Sequence, residues 1–171
     1  MSSPTPYKVL CVCLGNICRS PTAEVVLRQR CDEHKLKVEV DSAGTSNYHP
    51  GKAPDARSQK HAALRGYDLS GLRARQLTSK DFLDFDLILA MDKENLKNIE
   101  QFANKALQEH GYINAQIALM SAHDTKYPKQ ALPDPYYEDG AAFERVLDQC
   151  ESSVQGWIQV FKAQQLLSDV E

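Results

Sequence analysis

The 171-residue sequence contains no apolar run approaching the roughly 18 residues of a membrane-spanning helix, and its opening residues, MSSPTPYK, lack the apolar stretch of a secretion signal. A cytoplasmic protein with no membrane partner is therefore expected. Excess charge is missing too: 20 Lys and Arg stand against 23 Asp and Glu. A chain of formal net charge -3 has no general attraction for nucleic acid, so an anionic substrate has to be held by a local site. There is no low-complexity segment and no glycine or proline excess, which excludes fibrous and disordered classes. The five cysteines make no even, spread-out disulfide framework; three of them, Cys11, Cys13 and Cys18, crowd one short stretch. Finally, no G-x-x-x-x-G-K-[ST] loop is present, so nucleotide phosphates and Mg²⁺-dependent transfer are not indicated.

What remains is a composition, 42% hydrophobic and 25% charged, suited to one globular domain over residues 1–171. YKVLCVCL, from Tyr7 to Leu14, is a short apolar run that reads as a strand buried on both faces. After GNICRS, Pro21 fits the first turn of a helix, and TAEVVLRQRCDEH carries apolar residues at helical spacing. LKVEVDSAG reads as a second strand, TSNYHPGKAPD as a loop, and Pro54 to about Arg65 as a helix. DFDLILAMD gives a third strand, KENLKNIEQFANKAL an amphipathic helix, and AQIALM a fourth strand. Ser121 to Gly140 is a long loop with three prolines, and a last helix is expected from about Ala141 to Leu167. Strands alternating with helices predict an α/β fold, a parallel sheet with helices on both faces. In such sheets ligands bind at the carboxyl ends of the strands, which makes the loop after the first strand the candidate site.

That loop reads CLGNICRS, Cys13 to Ser20. Successive N–H groups of a strand-to-helix turn, together with the positive end of the helix, form an anion cradle from Leu14, Gly15, Asn16, Ile17 and Cys18. Gly15 and Asn16 are residue types that accept left-handed backbone. Arg19 offers a planar fork for two phosphate oxygens, and the same positive field draws Cys13 toward the nucleophilic thiolate. Ser20 is placed to hydrogen-bond that sulfur. A bare C-x5-R pair is a weak signal, but the full string at a strand-to-helix junction is strong. Cys11, inside the strand, reads as a packed core thiol.

The string VCLGNICRSP, Val12 to Pro21, with DSAG, ARQLTSKDF, AMD and LPDPYYED further on, resembles the low-molecular-weight protein tyrosine phosphatases over nearly the whole chain. The resemblance implies a four-stranded parallel sheet, a phosphocysteine intermediate on Cys13, no metal and no cofactor. It implies that Asp134, held between Pro133 and Pro135, is the general acid and later the base. By similarity Tyr48 and Tyr136 wall a slot that selects aryl phosphates, Asp92 supports the loop, and Cys18 forms a reversible disulfide with Cys13. Tyr137 is a weaker candidate for partner contact or phosphorylation. Leu72 stands where mammalian members carry a histidine, and Tyr48 where some carry a tryptophan, which puts one loop-supporting hydrogen bond and the substrate preference in question. The expected partners are phosphotyrosine proteins, with inorganic phosphate as product. A monomer or weak dimer is expected, with the long loop's tyrosines as candidate contacts.

Four other readings compete with this one. An arsenate reductase would relay oxidation to further cysteines around the third strand, but residues 72–100 hold none. A protein-arginine phosphatase of the same fold would have threonine at Ile17. A silent phosphotyrosine-binding module would have lost Cys13 or Asp134, and both are present. Zinc would need Cys11, Cys13 and Cys18, whose spacing is unlike the usual C-x2-4-C pair.

Overall fold

The computed structural model describes residues 5–164 and residue 166. Its elements run β1 (Tyr7–Cys13), α1 (Arg19–Glu33), β2 (Val38–Gly44), α2 (Ala56–Leu64), α3 (Asp81–Asp84), β3 (Leu87–Ala90), α4 (Lys93–His110), β4 (Gln116–Leu119) and α5 (Gly140–Ala163). All strand pairs are parallel, in the order β2-β1-β3-β4. The strand carrying Cys13 thus sits inside the sheet, with partners on both edges.

Alternation along β1 shows why its sequence is apolar at nearly every position. Val9, Cys11 and Cys13 point into one core, which also holds Ala23, Val26 and Leu27 of α1 and Val146, Trp157 and Phe161 of α5. Leu10 and Val12 point into the other, with Phe82 of α3 and Ile99, Ala103 and Ala106 of α4. β3 divides in the same way, Leu87 and Leu89 to one core and Ile88 and Ala90 to the other. A strand buried on both faces has no solvent side on which to place polar residues. Cys11 is fully buried, and burial, followed by nearby Glu24, pushes its thiol far above the ordinary range, as suits a packing residue.

Helix ends follow local chemistry. Asp55 caps α2 through Arg57 N–H, Asp92 caps α4 through Asn95 N–H, and Asp139 caps α5 through Ala142 N–H. α1 is different: no side chain caps it at Cys18, so its first-turn donors face the loop in front of them. The predicted strands and long helices are present within a few residues. α3, a single turn, is a helix the sequence does not predict, and its last residue, Asp84, is the first of the expected DFDLILAMD strand. The last helix ends at Ala163 with Gln164 as its C-cap, and Leu167, its expected end, lies outside the described residues.

Residues 120–139 contain no helix or strand, yet they are tied down. Asp124 is buried and accepts hydrogen bonds from Lys126 N and Tyr127 N (2.9 Å each) and from the Ser152 and Ser153 hydroxyls of α5 (2.6 Å each). Trp157 donates from Nε1 to Met120 O at 2.7 Å, and Leu132, also buried, donates its N–H to Met91 O at 2.8 Å. Anchored at both ends, the loop returns past the carboxyl end of β1.

Candidate active site

Cys13 is the last residue of β1, and the chain from Leu14 to Cys18 wraps over its sulfur before α1 begins at Arg19. Cys13 Sγ shares a hydrogen bond with Ser20 Oγ at 3.0 Å and accepts one from Asn16 N–H at 3.2 Å. The wrap turns on Asn16, whose φ of 57° is left-handed. Gly15 does not share that conformation, so the expectation that both residues supply left-handed backbone is corrected. Gly15 is small for another reason: a Cβ there would sit 3.1 Å from the His49 ring.

Behind the wrap lies a buried polar chain. Asn16 Nδ2 donates to Ser20 Oγ (2.8 Å) and Ser42 Oγ (2.9 Å), while its Oδ1 accepts from Arg75 N–H at 3.0 Å. Ser42 Oγ donates onward to Glu24 Oε1 at 2.7 Å, and Glu24 also pairs with Arg28. Burial raises the Glu24 carboxyl above its ordinary value, against the hydrogen bond from Ser42 and the charge of Arg28, which lower it. Because Asn16 occupies a lone pair of Ser20 Oγ, the serine hydrogen is left for the sulfur, with Ala43 O a longer alternative at 3.4 Å. Leu72 packs its side chain against the main core, and the Asn16 carboxamide is fully engaged without a histidine there. Nothing local in the sequence marks Ser42, Glu24 and Arg75 individually, although Ser42 and Arg75 lie within the DSAG and ARQLTSKDF strings.

Arg19 is buried, with Nη1 bound to Asp92 Oδ2 at 2.5 Å and to Leu132 O at 3.2 Å. Its other arm, Nη2, lies 3.6 Å from Asp134 Oδ2. Burial works against the charge of Arg19, but Cys13, Asp92 and Asp134 outweigh it and lift its pKa above the ordinary arginine value. Asp92 therefore does two jobs, capping α4 with Oδ1 and orienting Arg19 with Oδ2. Asp134 is half-exposed, and its Oδ1 accepts the Tyr136 N–H at 3.2 Å.

A cavity of about 130 Å³ opens above the sulfur. Cys13, Leu14, Gly15, Ile17, Cys18 and Arg19 form its floor, and Asp134 stands at its rim beside Tyr48, His49, Tyr136 and Tyr137. Of the candidate residues, Asn16, Ser20 and Asp92 act from behind this floor and do not line it. His49, absent from the sequence reading, is placed between the two expected walls, its ring centroid 6.5 Å from Tyr48 and 6.3 Å from Tyr136. Tyr48 is 71% and Tyr137 93% exposed, the latter edge-on to Tyr136 at 4.8 Å, so the mouth is open and aromatic. Cys18 is buried beside Cys13, and burial pushes its thiol up to about 12. Cys31 and Cys150 are free and buried like Cys11, with no thiol among them positioned as an exposed relay. Among the described residues, no group of three or more His, Cys, Asp or Glu side chains could hold a metal ion, and no helix is long and apolar enough to cross a membrane.

A parallel sheet whose inner strand ends in a thiol, beside an uncapped helix start and a buried arginine, defines an α/β protein with a cationic pocket at the carboxyl ends of its strands. Comparison with known proteins makes the class specific. The sequence profile described as low molecular weight phosphotyrosine protein phosphatase matches residues 8–167. A protein of Synechocystis that bears the family's name is 43% identical over 148 residues, 85% of this chain and 90% of that one. The solved protein tyrosine phosphatase of Entamoeba histolytica, with Hepes in its active site, superposes with a TM-score of 0.82 at 36% identity, covering 93% of this chain and 99% of that one. A Drosophila arginine phosphatase superposes with a TM-score of 0.84 at 31% identity, covering 91% and 98%. The chain belongs to the low molecular weight phosphotyrosine protein phosphatase family.

Proposed function

We propose that this chain is a cytoplasmic phosphatase that hydrolyses phosphotyrosine in proteins through a covalent intermediate on Cys13, without metal or cofactor, acting as a monomer or weak dimer. The observation that carries this reading is the convergence of three groups on one cavity: the Cys13 sulfur at its floor, Arg19 beside it, and Asp134 at its rim. The aromatic mouth at Tyr48 and Tyr136 fits a flat phenyl ester, which gains stacking that an aliphatic phosphate would miss.

In the first step the phosphoryl group enters the cradle, where the N–H groups of residues 14–18 and the Arg19 fork hold its oxygens. The Cys13 thiolate attacks phosphorus; an S–P bond forms, the bridging P–O bond breaks, and the electron pair leaves on the phenolic oxygen. Tyrosine is a poor leaving group, its hydroxyl titrating at about 10, so Asp134 delivers a proton to it. In the second step Asp134, now a carboxylate, takes a proton from water as that water attacks phosphorus. The S–P bond breaks, sulfur regains its electron pair under the Ser20 hydrogen bond, and inorganic phosphate departs. Asp134 Oδ2 lies 3.6 Å from Arg19 Nη2, the arm that a phosphate oxygen would take.

The test compares wild type, Cys13→Ser and Asp134→Ala on p-nitrophenyl phosphate and a phosphotyrosine peptide with EDTA present. Turnover by wild type, none by Cys13→Ser and a slowing of about 10²-fold or more on the peptide by Asp134→Ala are expected. Wild type that binds the peptide without hydrolysing it would replace this reading with a binding module. The likeness to an arginine phosphatase supports a second reading, dephosphorylation of phosphoarginine. Ile17 and Leu14 present an apolar floor where a guanidinium leaving group would call for polar contacts, which favours phosphotyrosine. A phosphoarginine peptide assayed in parallel decides between them.

A further inference from the structure

The loop that carries Asp134 has no helix or strand of its own, yet a general acid has to be held to within a fraction of an ångström. Among the described residues, the hydrogen bonds that reach residues 134–138 from outside that segment come from Arg57, near the start of α2. Its Nη2 donates to Tyr136 O at 2.8 Å and its Nη1 to Glu138 O at 3.4 Å. The guanidinium lies 4.7 Å from the ring centre of Phe143 in α5 and 5.8 Å from that of Tyr136.

Arg57 is itself aimed. Asp55 accepts from its Nε at 3.1 Å, from its Nη2 at 3.0 Å and from its backbone N–H at 2.8 Å. Burial opposes ionisation of Asp55, but these bonds and the Arg57 charge outweigh it and hold the carboxyl below its ordinary value. The Asp55 backbone N–H in turn donates to Ile17 O, in the wrap over Cys13, at 2.8 Å. A continuous path therefore runs from the cradle through Ile17, Asp55 and Arg57 to Tyr136, whose N–H fixes Asp134 Oδ1 at 3.2 Å.

Resting on the assignment of Asp134 as general acid, we infer that Arg57 is a positioning residue that holds the acid and the Tyr136 wall at a fixed distance from the phosphate cradle. Arg57 does not line the cavity and touches no reacting atom; it acts through the backbone of Tyr136 and Glu138. Its two donated bonds and its approach to the Phe143 ring use the planar arginine fork, which lysine offers only in part.

The decisive measurement is leaving-group dependence, which separates proton donation from general damage. For Arg57→Met, kcat/KM on phenyl phosphate, a poor leaving group, is expected to fall about tenfold. On dinitrophenyl phosphate, which leaves unprotonated, it should stay within about twofold. Arg57→Lys should be intermediate, and Arg57→Met added to Asp134→Ala should cost no more than about a further twofold on phenyl phosphate. Equal losses on the two esters, or losses in the double variant that multiply, would overturn the inference. Asp134→Ala, run alongside, tells the two failures apart. If it slows both esters equally, the acid assignment falls and the inference with it; if it slows only phenyl phosphate while Arg57→Met does not, Arg57 alone is misassigned. Thermal melts accompany each variant, and should Arg57→Met not fold, the same comparison on Arg57→Lys decides.

Discussion

Removing the Asn16 side chain should damage the site from behind, by an amount that can be worked out from its contacts. In Asn16→Ala three buried hydrogen bonds disappear, to Ser20 Oγ, Ser42 Oγ and from Arg75 N–H. Ser20 and Ser42 keep other partners in Cys13 and Glu24, so the loss is about 1 kcal/mol per bond, about 3 kcal/mol in all. The φ of 57° adds about 1 kcal/mol for an alanine and nothing for a glycine. Asn16→Ala should therefore lose about 4 kcal/mol and Asn16→Gly about 3 kcal/mol. Urea unfolding followed by the fluorescence of Trp157, the sole tryptophan and a buried one, measures both. Activity should fall in both variants on the order of tenfold in kcat, because Ser20 loses the donor that orients its hydroxyl toward sulfur. An Asn16→Gly protein within about 0.5 kcal/mol of wild type, with unchanged kcat, would refute the network argument. Equal stability of the alanine and glycine variants would refute the backbone part of it alone.

Other outcomes follow from the same contacts. Peroxide should inactivate the enzyme by oxidising Cys13 to a sulfenic acid, which the Cys18 thiolate then attacks to form a disulfide with loss of water; thiols should restore activity in wild type and progressively fail to do so in Cys18→Ser. With the Cys18 thiol pushed up to about 12 by burial, closure of that disulfide should quicken about tenfold per pH unit below that value, measurable by trapping free thiols at timed intervals. Gly156→Ala would put a Cβ 2.2 Å from His123 O, so the melting temperature should drop by an amount corresponding to about 1–3 kcal/mol. At Asp124, burial opposes the charge, but four hydrogen bonds outweigh it and hold the carboxyl below its unfolded value of 3.8. Its stabilisation is therefore full above that value and is lost as pH falls through it toward the folded pKa. Asp124→Asn should cost about 1–3 kcal/mol in a neutral melt, with the gap to wild type narrowing below about pH 4.

Contacts local in sequence were legible, and contacts made by folding were not. The strand ending at Cys13, the wrap and the helix beginning near Pro21 could be read because a strand, an anion cradle and a helix start each leave a pattern within a few residues. The two-faced burial of β1 was likewise visible in its unbroken apolar run, and the parallel order followed from the alternation of elements. α3 escaped because a single turn has no periodicity to detect. His49 escaped because its place is set by Gly15, which lies 34 positions earlier in the sequence, and a glycine in such a loop suggests the left-handed backbone that, of the two, Asn16 adopts. Glu24, Ser42 and Arg75 carry ordinary helix, strand and loop signals; their role appears only when β2 is paired in register beside β1 and Ser42 lies opposite Cys11.

Arg57 makes the same point in its sharpest form. In sequence it follows a capping aspartate at a helix start, where an exposed arginine needs no explanation, and the residues it holds come about 80 positions later. Proline on either side of Asp134 stiffens that loop but cannot say where the loop lies, since two rigid bonds in a segment without helix or strand still leave its position open. Position has to come from a donor on another element. The cradle is a product of local geometry and survives as a motif, whereas the distance from cradle to acid is a product of long-range packing. Variation in rate among chains that keep CLGNICRS and DPYY intact should therefore concentrate at residues such as Asp55 and Arg57 that set this distance.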